Sequence, residues 1–330
     1  MGPAWRPATS DESDRIDSQA REDPKSGFMQ SSWWAEFKRR EGYAVTDLIC
    51  EQVGAARLMD YPFGHERGFI LCPEGPLLPW DETEICRAAL RSLTEYVKAS
   101  KDAIGLRIEP HLEPPPPSIL RNWAKAPTDL TPADTLVLDL TRTDEELLTV
   151  MHPKCRYNLR IAARHGVAAH HAADMDLVHP FYSLLTETSQ RDGFFLEPLG
   201  FFLNLCQTAF SAGAAEFVWA ELDGQILAMM LLIHFGHRST YLYGASSHLR
   251  RETMPNHAMH WTAIQRSHQR GSREYDLYGI DALGRRDHLY AGITRFKKQW
   301  GGTVRRRIGA RDYIFYDRLA DAVVQAYGTS

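Results

Sequence analysis

Between Arg285 and Arg311 the chain places nine basic residues, Arg285, Arg286, Arg295, Lys297, Lys298, Arg305, Arg306, Arg307 and Arg311, against the single acid Asp287. Beside aromatic residues and the pair Gly301–Gly302, such a cluster is the electrostatic footprint of a surface for a polyanion, a nucleotide or an RNA end. The plainer alternative is a solvated, arginine-rich surface. A second basic group, Arg156, Arg160 and Arg164, recurs every four residues, which places it on one helical face, with Gly166 as the expected C-cap. A face of this kind is more often solvated than functional. The remainder of the chain is acidic: the total is 38 basic against 42 acidic residues, yet residues 146–330 hold 21 basic and 17 acidic. That balance argues against general coating of nucleic acid, whose nonspecific affinity scales with the phosphates neutralised, and leaves room for a local contact in the second half.

Other chemistries are disfavoured by what the motifs lack. There is no GxxxxGK[ST], no GxGxxG and no GxSxG elbow. A coenzyme A pyrophosphate loop, R/QxxGxG/A, must follow a strand and open a helix so that free amides face the anion. RREGYA, Arg39 to Ala44, matches the letters, but its glycine closes a helix and a strand follows. After the strand YLYGAS the chain reads SHLRRETMPNH, which has no glycine. Five cysteines, odd in number and never spaced as CxxC, read as reduced thiols used for packing. Among 14 histidines, His257 and His260 stand three apart without an HExxH frame and His170–His171 are adjacent, so no metal and no cofactor is expected. With 44% hydrophobic and 24% charged residues, no long apolar run and a polar start, the chain reads as soluble and cytoplasmic.

The elements that must position these residues follow from periodicity. Residues 1–26 lack it and read as a disordered leader. SGFMQSSWWAEFKRREGY reads as a short helix capped at Gly42, followed by strands at 45–52 and 68–71, a helix at 80–99 and a strand IGLRIEP. The prolines of HLEPPPPSILRNW require an extended connector. TLVLDL is a strand, and Thr143 with Glu145 and Glu146 opens a helix. Helices are expected over 178–191 and 199–212, three antiparallel strands between Ala215 and Ser246, then the helix NHAMHWTAIQRSHQRG and the strand YDLYGI. Similar order in both halves suggests two related α/β domains.

SGFMQSSWWAEFKRREGY, LRIEP, MHPKCRYNLRIAARHGV, YLYGAS, YDLYGI and RFKKQWGG, in this order, resemble the FemXAB family, whose members move an amino acid from aminoacyl-tRNA onto a peptidoglycan precursor peptide. The resemblance implies an α/β chain of two tandem GNAT-like domains, residues 27–142 with 306–330 and residues 143–305, each a mixed twisted sheet flanked by helices. It also implies a short member without the coiled-coil arm, with aminoacyl-tRNA as donor and a UDP-linked or lipid-linked muropeptide, or similar peptide amine, as acceptor.

By the same resemblance Lys297 stabilises the developing oxyanion, and Phe296 packs on the terminal adenosine or the aminoacyl group. Lys38 meets nucleotide phosphates, Tyr243 the sugar-peptide ligand, and Glu109, where the family usually has Asp, accepts the amine proton. For each, an ordinary surface or core role is the alternative. Arg156, Arg160, Arg164, Lys298, Arg305, Arg306 and Arg307 are the candidates for tRNA. FLEPLGFF lacks the Arg and Tyr that the family places there. Transfer within secondary metabolism, a CoA-dependent acyltransferase and a catalytically silent binding module remain the alternatives.

Overall fold

The computed structural model describes residues 2–63, 66–284 and 291–319; Arg285, Arg286 and Asp287 lie outside the described residues. The chain forms two compact units, residues 1–133 with 306–330 and residues 134–305. In the first, β1 (Trp5–Pro7) leads into α1 (Ser10–Glu22), so the expectation of a disordered leader is corrected. Thr9 and Glu12 form a reciprocal capping box, Ile16 and Ala20 are buried, and Asp17 pairs with the buried Arg57 at 2.9 Å. One isoleucine and one alanine bury this helix, too few to register as a hydrophobic period, while its polar residues serve as partners.

After α2 (Ser32–Arg40), whose N-cap Ser31 accepts from the Trp34 amide, β2 (Val45–Cys50), β3 (Gly54–Phe63) and β4 (Glu66–Pro73) run antiparallel in turn. The amphipathic α3 (Thr83–Ser100) then crosses over, so that β5 (Gly105–Glu109) lies parallel to β4. The short β6 (Ala124–Lys125) follows the proline-rich connector.

The second unit repeats this order. β7 (Asp134–Asp139), α4 (Asp144–Val150), α5 (Pro153–Arg164), β8 (Ala168–Ala172), α6 (Val178–Asp192) and α7 (Leu199–Ser211) precede the antiparallel run β9 (Ala215–Leu222), β10 (Gln225–Phe235) and β11 (Arg238–Ser246). The crossover helix α8 (Pro255–Gln269) delivers β12 (Glu274–Gly279) parallel to β11, and α9 (Ala291–Lys298) and β13 (Thr303–Arg306) follow. The sheet order is β13-β7-β12-β11-β10-β9-β8. Gly302, at φ 87, lets the chain turn from α9 into β13, since a Cβ there would stand 2.6 Å from the Val137 carbonyl. The core between this sheet and α8 includes Met230, Leu232, Met259, Ile264, Tyr275 and the fully buried Trp300. Finally β14 (Arg311–Ile314) returns to the first sheet, whose order is β1-β2-β3-β4-β5-β14-β6.

Candidate active site in the second unit

The two parallel strands at the centre of the second sheet stay paired only briefly. β11 meets β12 over Arg238–Thr240 against Glu274–Asp276 and no further. Beyond Thr240, β11 carries one residue too many for β10, with Leu232 opposite Tyr241 and Leu231 opposite Tyr243. β12 likewise gains a residue against β7 between Asp276 and Gly279, where Tyr278 adopts φ 63. Bulges of this kind bend a strand and re-aim its groups. A left-handed tyrosine costs about 1–3 kcal/mol, partly offset by its amide donating to Asp276 Oδ1 at 2.7 Å.

Lys297 spans this break. Its side chain enters from α9, is 5% exposed, donates from Nζ to the Gly279 carbonyl at 2.7 Å, and lies 5.4 Å from the centre of the Tyr241 ring. One contact is thus to the end of β12 and the other to β11. Gly244 makes the second possible: a Cβ on it would stand 2.0 Å from the Tyr241 hydroxyl. Burial pushes the ammonium from its ordinary 10.5 down to about 7, against the opposing pull of Asp276. Burial also raises the Tyr241 phenol to about 12, keeping it neutral.

An aromatic wall backs the lysine. The Phe296 ring lies 5.3 Å from His257, 5.2 Å from His260 and 6.2 Å from Trp300, centre to centre, and His260 lies 4.7 Å from Tyr241. His260 Nδ1 stands 3.0 Å from the Tyr275 hydroxyl, and His257 Nε2 is 3.1 Å from the Asn158 amide nitrogen. Burial, then the Lys297 charge, holds His260 well below its ordinary value; burial, then Lys154, takes His257 to about 4. Both rings are therefore neutral near pH 7.

The other sequence candidates fall into several groups. Tyr243 follows on β11, half-buried, its ring edge-on to Phe202 at 5.3 Å centre to centre; burial and the charge of Glu197 raise it to about 12. Lys38, on α2 in the first unit, rests its ammonium 4.8 Å from the Tyr43 ring centre, 5.2 Å from Phe37 and 5.6 Å from Trp34. Glu109, also in the first unit, is 2% exposed. It accepts from the Leu130 amide at 2.8 Å and from the Thr131 amide and hydroxyl at 3.1 Å each. Burial raises it to about 7, but its contacts are those of a side chain that fastens the 130–131 backbone.

The basic candidates do not form one surface. Arg156 donates to the Leu148 and Met151 carbonyls and so closes the end of α4. Arg305 pairs with Glu274 through both terminal nitrogens. Arg306, the last residue of β13, is exposed, and Arg307, just beyond the strand, is half-buried. Arg160, Arg164 and Lys298 remain exposed.

Two other chemistries meet structural obstacles. Ser239 Oγ lies 2.7 Å from His234 Nδ1, and His234 Nε2 lies 2.9 Å from Glu216. This is the order of a nucleophile, base and acid, but Ser239 is fully buried, so a substrate carbonyl has no access to it. Glu216 also takes Arg266 at 2.9 Å and His171 at 2.9 Å, and the group serves as a polar tie between β9, β10 and α8. For coenzyme A, the turn from β11 to α8 uses the left-handed non-glycine residues Arg250 and Met254, with Pro255 as the first helical residue. The proline has no amide hydrogen and the His257 amide already bonds to the Met254 carbonyl, which leaves few donors for a pyrophosphate.

Of the residues that the sequence singled out, the structure brings Phe296 and Lys297 to this break, beside Tyr241, Gly244, Asp276, His260 and Gly279, which the sequence did not mark as site residues. The available signal was the Tyr-Gly pair present in both YLYGAS and YDLYGI, one on each of the diverging strands.

The acetyltransferase (GNAT) domain family matches residues 153–298. The lipid II:glycine glycyltransferase of Staphylococcus aureus is 23% identical over 394 aligned positions, covering 94% of this chain and 93% of its own. That alignment is longer than this chain, so the relative carries residues with no counterpart here. A solved structure of FemX superposes with a TM-score of 0.86 at 22% identity, covering 97% of this chain and 99% of its own. A tandem GNAT protein from the clavulanic acid biosynthesis pathway gives 0.58 at 14% identity over 94% and 98%. Fold and relatives define the class as a transferase built from two GNAT-fold units. Within that class, the chain is similar to FemX and to the lipid II:glycine glycyltransferase, members of the FemXAB family.

Proposed function

We propose that the enzyme moves an amino acid from aminoacyl-tRNA to an amine of a peptidoglycan precursor peptide. The observation that carries this reading is the buried Lys297 side chain held against the Gly279 carbonyl at the break between β11 and β12. An aminoacyl ester is already activated, so neither ATP nor a covalent enzyme intermediate is required. The acceptor ammonium first gives one proton to solvent; the free amine forms the new C–N bond to the ester carbonyl, the C–O bond to the ribose breaks, and a second amine proton passes to the departing ribose oxygen as its hydroxyl, so that one net proton is released.

An ammonium has three donors. Gly279 takes one, and another is available for the oxyanion of the tetrahedral intermediate, where a positioned donor is worth about 10²–10³ in rate. Phe296 supplies the apolar face beside it. An acceptor lysine near ~10.4 is almost wholly protonated at neutral pH, so the rate is expected to rise with pH as free amine appears and to fall once Lys297 loses its proton above about 7. Glu109 has no part in this scheme, being engaged with Leu130 and Thr131.

The test supplies purified protein with labelled seryl-, alanyl- and glycyl-tRNA, a UDP-linked muropeptide, and acetyl-CoA as a parallel donor. Label arriving in the muropeptide from the tRNA ester supports the reading. Label only from the thioester would transfer the site to acyl-CoA chemistry, and none from any donor would leave a binding module.

A further inference from the structure

α5 carries four cations, Lys154, Arg156, Arg160 and Arg164, and no acid. With Arg156 spent on α4, the other three are exposed, and none of them forms an ion pair among the described residues. At 100° per residue, Lys154, Tyr157, Arg160 and Arg164 fall on one stripe. Tyr157 stands in the middle of it with 53% of its surface in solvent, with Lys154 and Arg160 three residues to either side.

The stripe is joined to the candidate active site at its N-terminal end. The His152 amide, just before α5, bonds to the Gln299 carbonyl at 2.9 Å, next to the exposed Lys298. Further along the helix, Asn158 contacts His257 at 3.1 Å, and His257 packs on Phe296. Lys298, Lys154, Tyr157, Arg160 and Arg164 therefore run outward from the residues beside Lys297. From Lys154 to Arg164 the helix rises about 15 Å, the length of four or five stacked nucleotides at ~3.4 Å each.

We propose that this stripe is the docking surface for the single-stranded 3′ end of the donor RNA, with Tyr157 stacking on a base while Lys154, Arg160, Arg164 and Lys298 meet phosphates. The assignment rests on the aminoacyl-tRNA reading above. It removes Arg156 and Arg305 from the RNA surface and adds Tyr157 and Lys154. A phosphate strand is favoured over an anionic membrane because the stripe offers one aromatic ring among cations; its one aliphatic residue, Ile161, is half-buried.

The test measures binding of an uncharged RNA minihelix with a single-stranded 3′ end, and of the same duplex with blunt ends, across a salt series. Tyr157→Ala is expected to weaken binding of the tailed RNA by roughly 5- to 100-fold with its salt slope unchanged, and Tyr157→Phe to restore it. Arg160→Gln with Arg164→Gln should flatten the log–log salt slope by about 1.4, at ~0.7 per phosphate. In the transfer assay both variants should raise the KM for aminoacyl-tRNA and leave kcat unchanged. If the wild-type protein transfers from the tRNA ester and these variants match it in binding and KM, the stripe is misassigned while the reading beneath it survives. A wild-type protein that binds neither RNA overturns both. Loss of binding to vesicles of equal phosphatidylglycerol and phosphatidylethanolamine in the arginine variant, with minihelix binding intact, would assign the stripe to a membrane instead.

Discussion

Replacing Lys297 with methionine should make the protein more stable and nearly inactive. The side chain is 5% exposed, and its ammonium is held at about 7 rather than 10.5. At about 1.4 kcal/mol per unit, the charged form costs the fold roughly 5 kcal/mol at pH 6 and below. The sign follows from proton counts: between pH 7 and 10.5 the unfolded chain binds more protons at this site than the folded one, so wild-type stability rises with pH through that window. At pH 9 the cost has fallen to about 2 kcal/mol. Methionine has similar length and no charge, and forfeits the Gly279 hydrogen bond, worth about 1 kcal/mol. The variant should thus gain stability at pH 6, and its advantage should shrink by roughly 2–3 kcal/mol between pH 6 and pH 9. Urea melts of both proteins at the two pH values read this difference directly, with the transfer rate at pH 7 expected to fall by about 10²–10³. An advantage that does not shrink with pH would show that Lys297 is not a destabilised cation. A wild-type rate in the variant would remove it from the reaction.

Three further perturbations test other parts of the argument. Glu216→Gln should cost about 3–5 kcal/mol, because His234 and Arg266 lose their buried anion. Burial raises this carboxyl, but His234 and Arg266 more than offset it and bring it down to about 2. Its contribution is complete above about pH 4.5 and lost as pH falls toward 2, so the gap between wild type and variant in denaturant melts should narrow at pH 3. Asp17→Ala should lower stability by about 2 kcal/mol through the half-relieved Arg57; an unchanged denaturation midpoint would mean α1 is not fastened there. Gly244→Ala should displace the Tyr241 ring, costing about 1–3 kcal/mol as an overpacked site does and lowering the transfer rate with little change in KM for either substrate.

The helices and central strands were legible because their apolar residues repeat at the helical or strand period, and the Thr143 cap appears as a reciprocal capping box with Glu146. The edge elements were not. β1 is three residues long, and β8 is the run AAHHA, exposed except for the half-buried Ala169 and Ala172, so neither presents a pattern above background. Lys297 was singled out by its motif, yet nothing in RFKKQWGG tells its buried lysine from the exposed Lys298 beside it; that distinction is made by α9 turning one of the two inward. The break that Lys297 spans depends on two bulges in different strands, and bulges arise from pairing between segments distant in sequence. The pairs of Arg156 and Arg305 are equally non-obvious, since a run of cations does not disclose which will be spent on local carbonyls or a neighbouring carboxylate.

The placement of β14 between β5 and β6 has a bearing on biogenesis. About 170 residues separate the two parts of the first unit. At 5–20 residues per second the ribosome needs roughly 10–35 s to traverse them. Throughout that interval the nascent first sheet exposes unsatisfied backbone where its missing strand will insert, while the second unit can already close. Such a chain is expected to complete its later half before its earlier one, and a premature stop just ahead of Arg311 should yield a product in which only residues 134–305 resist protease.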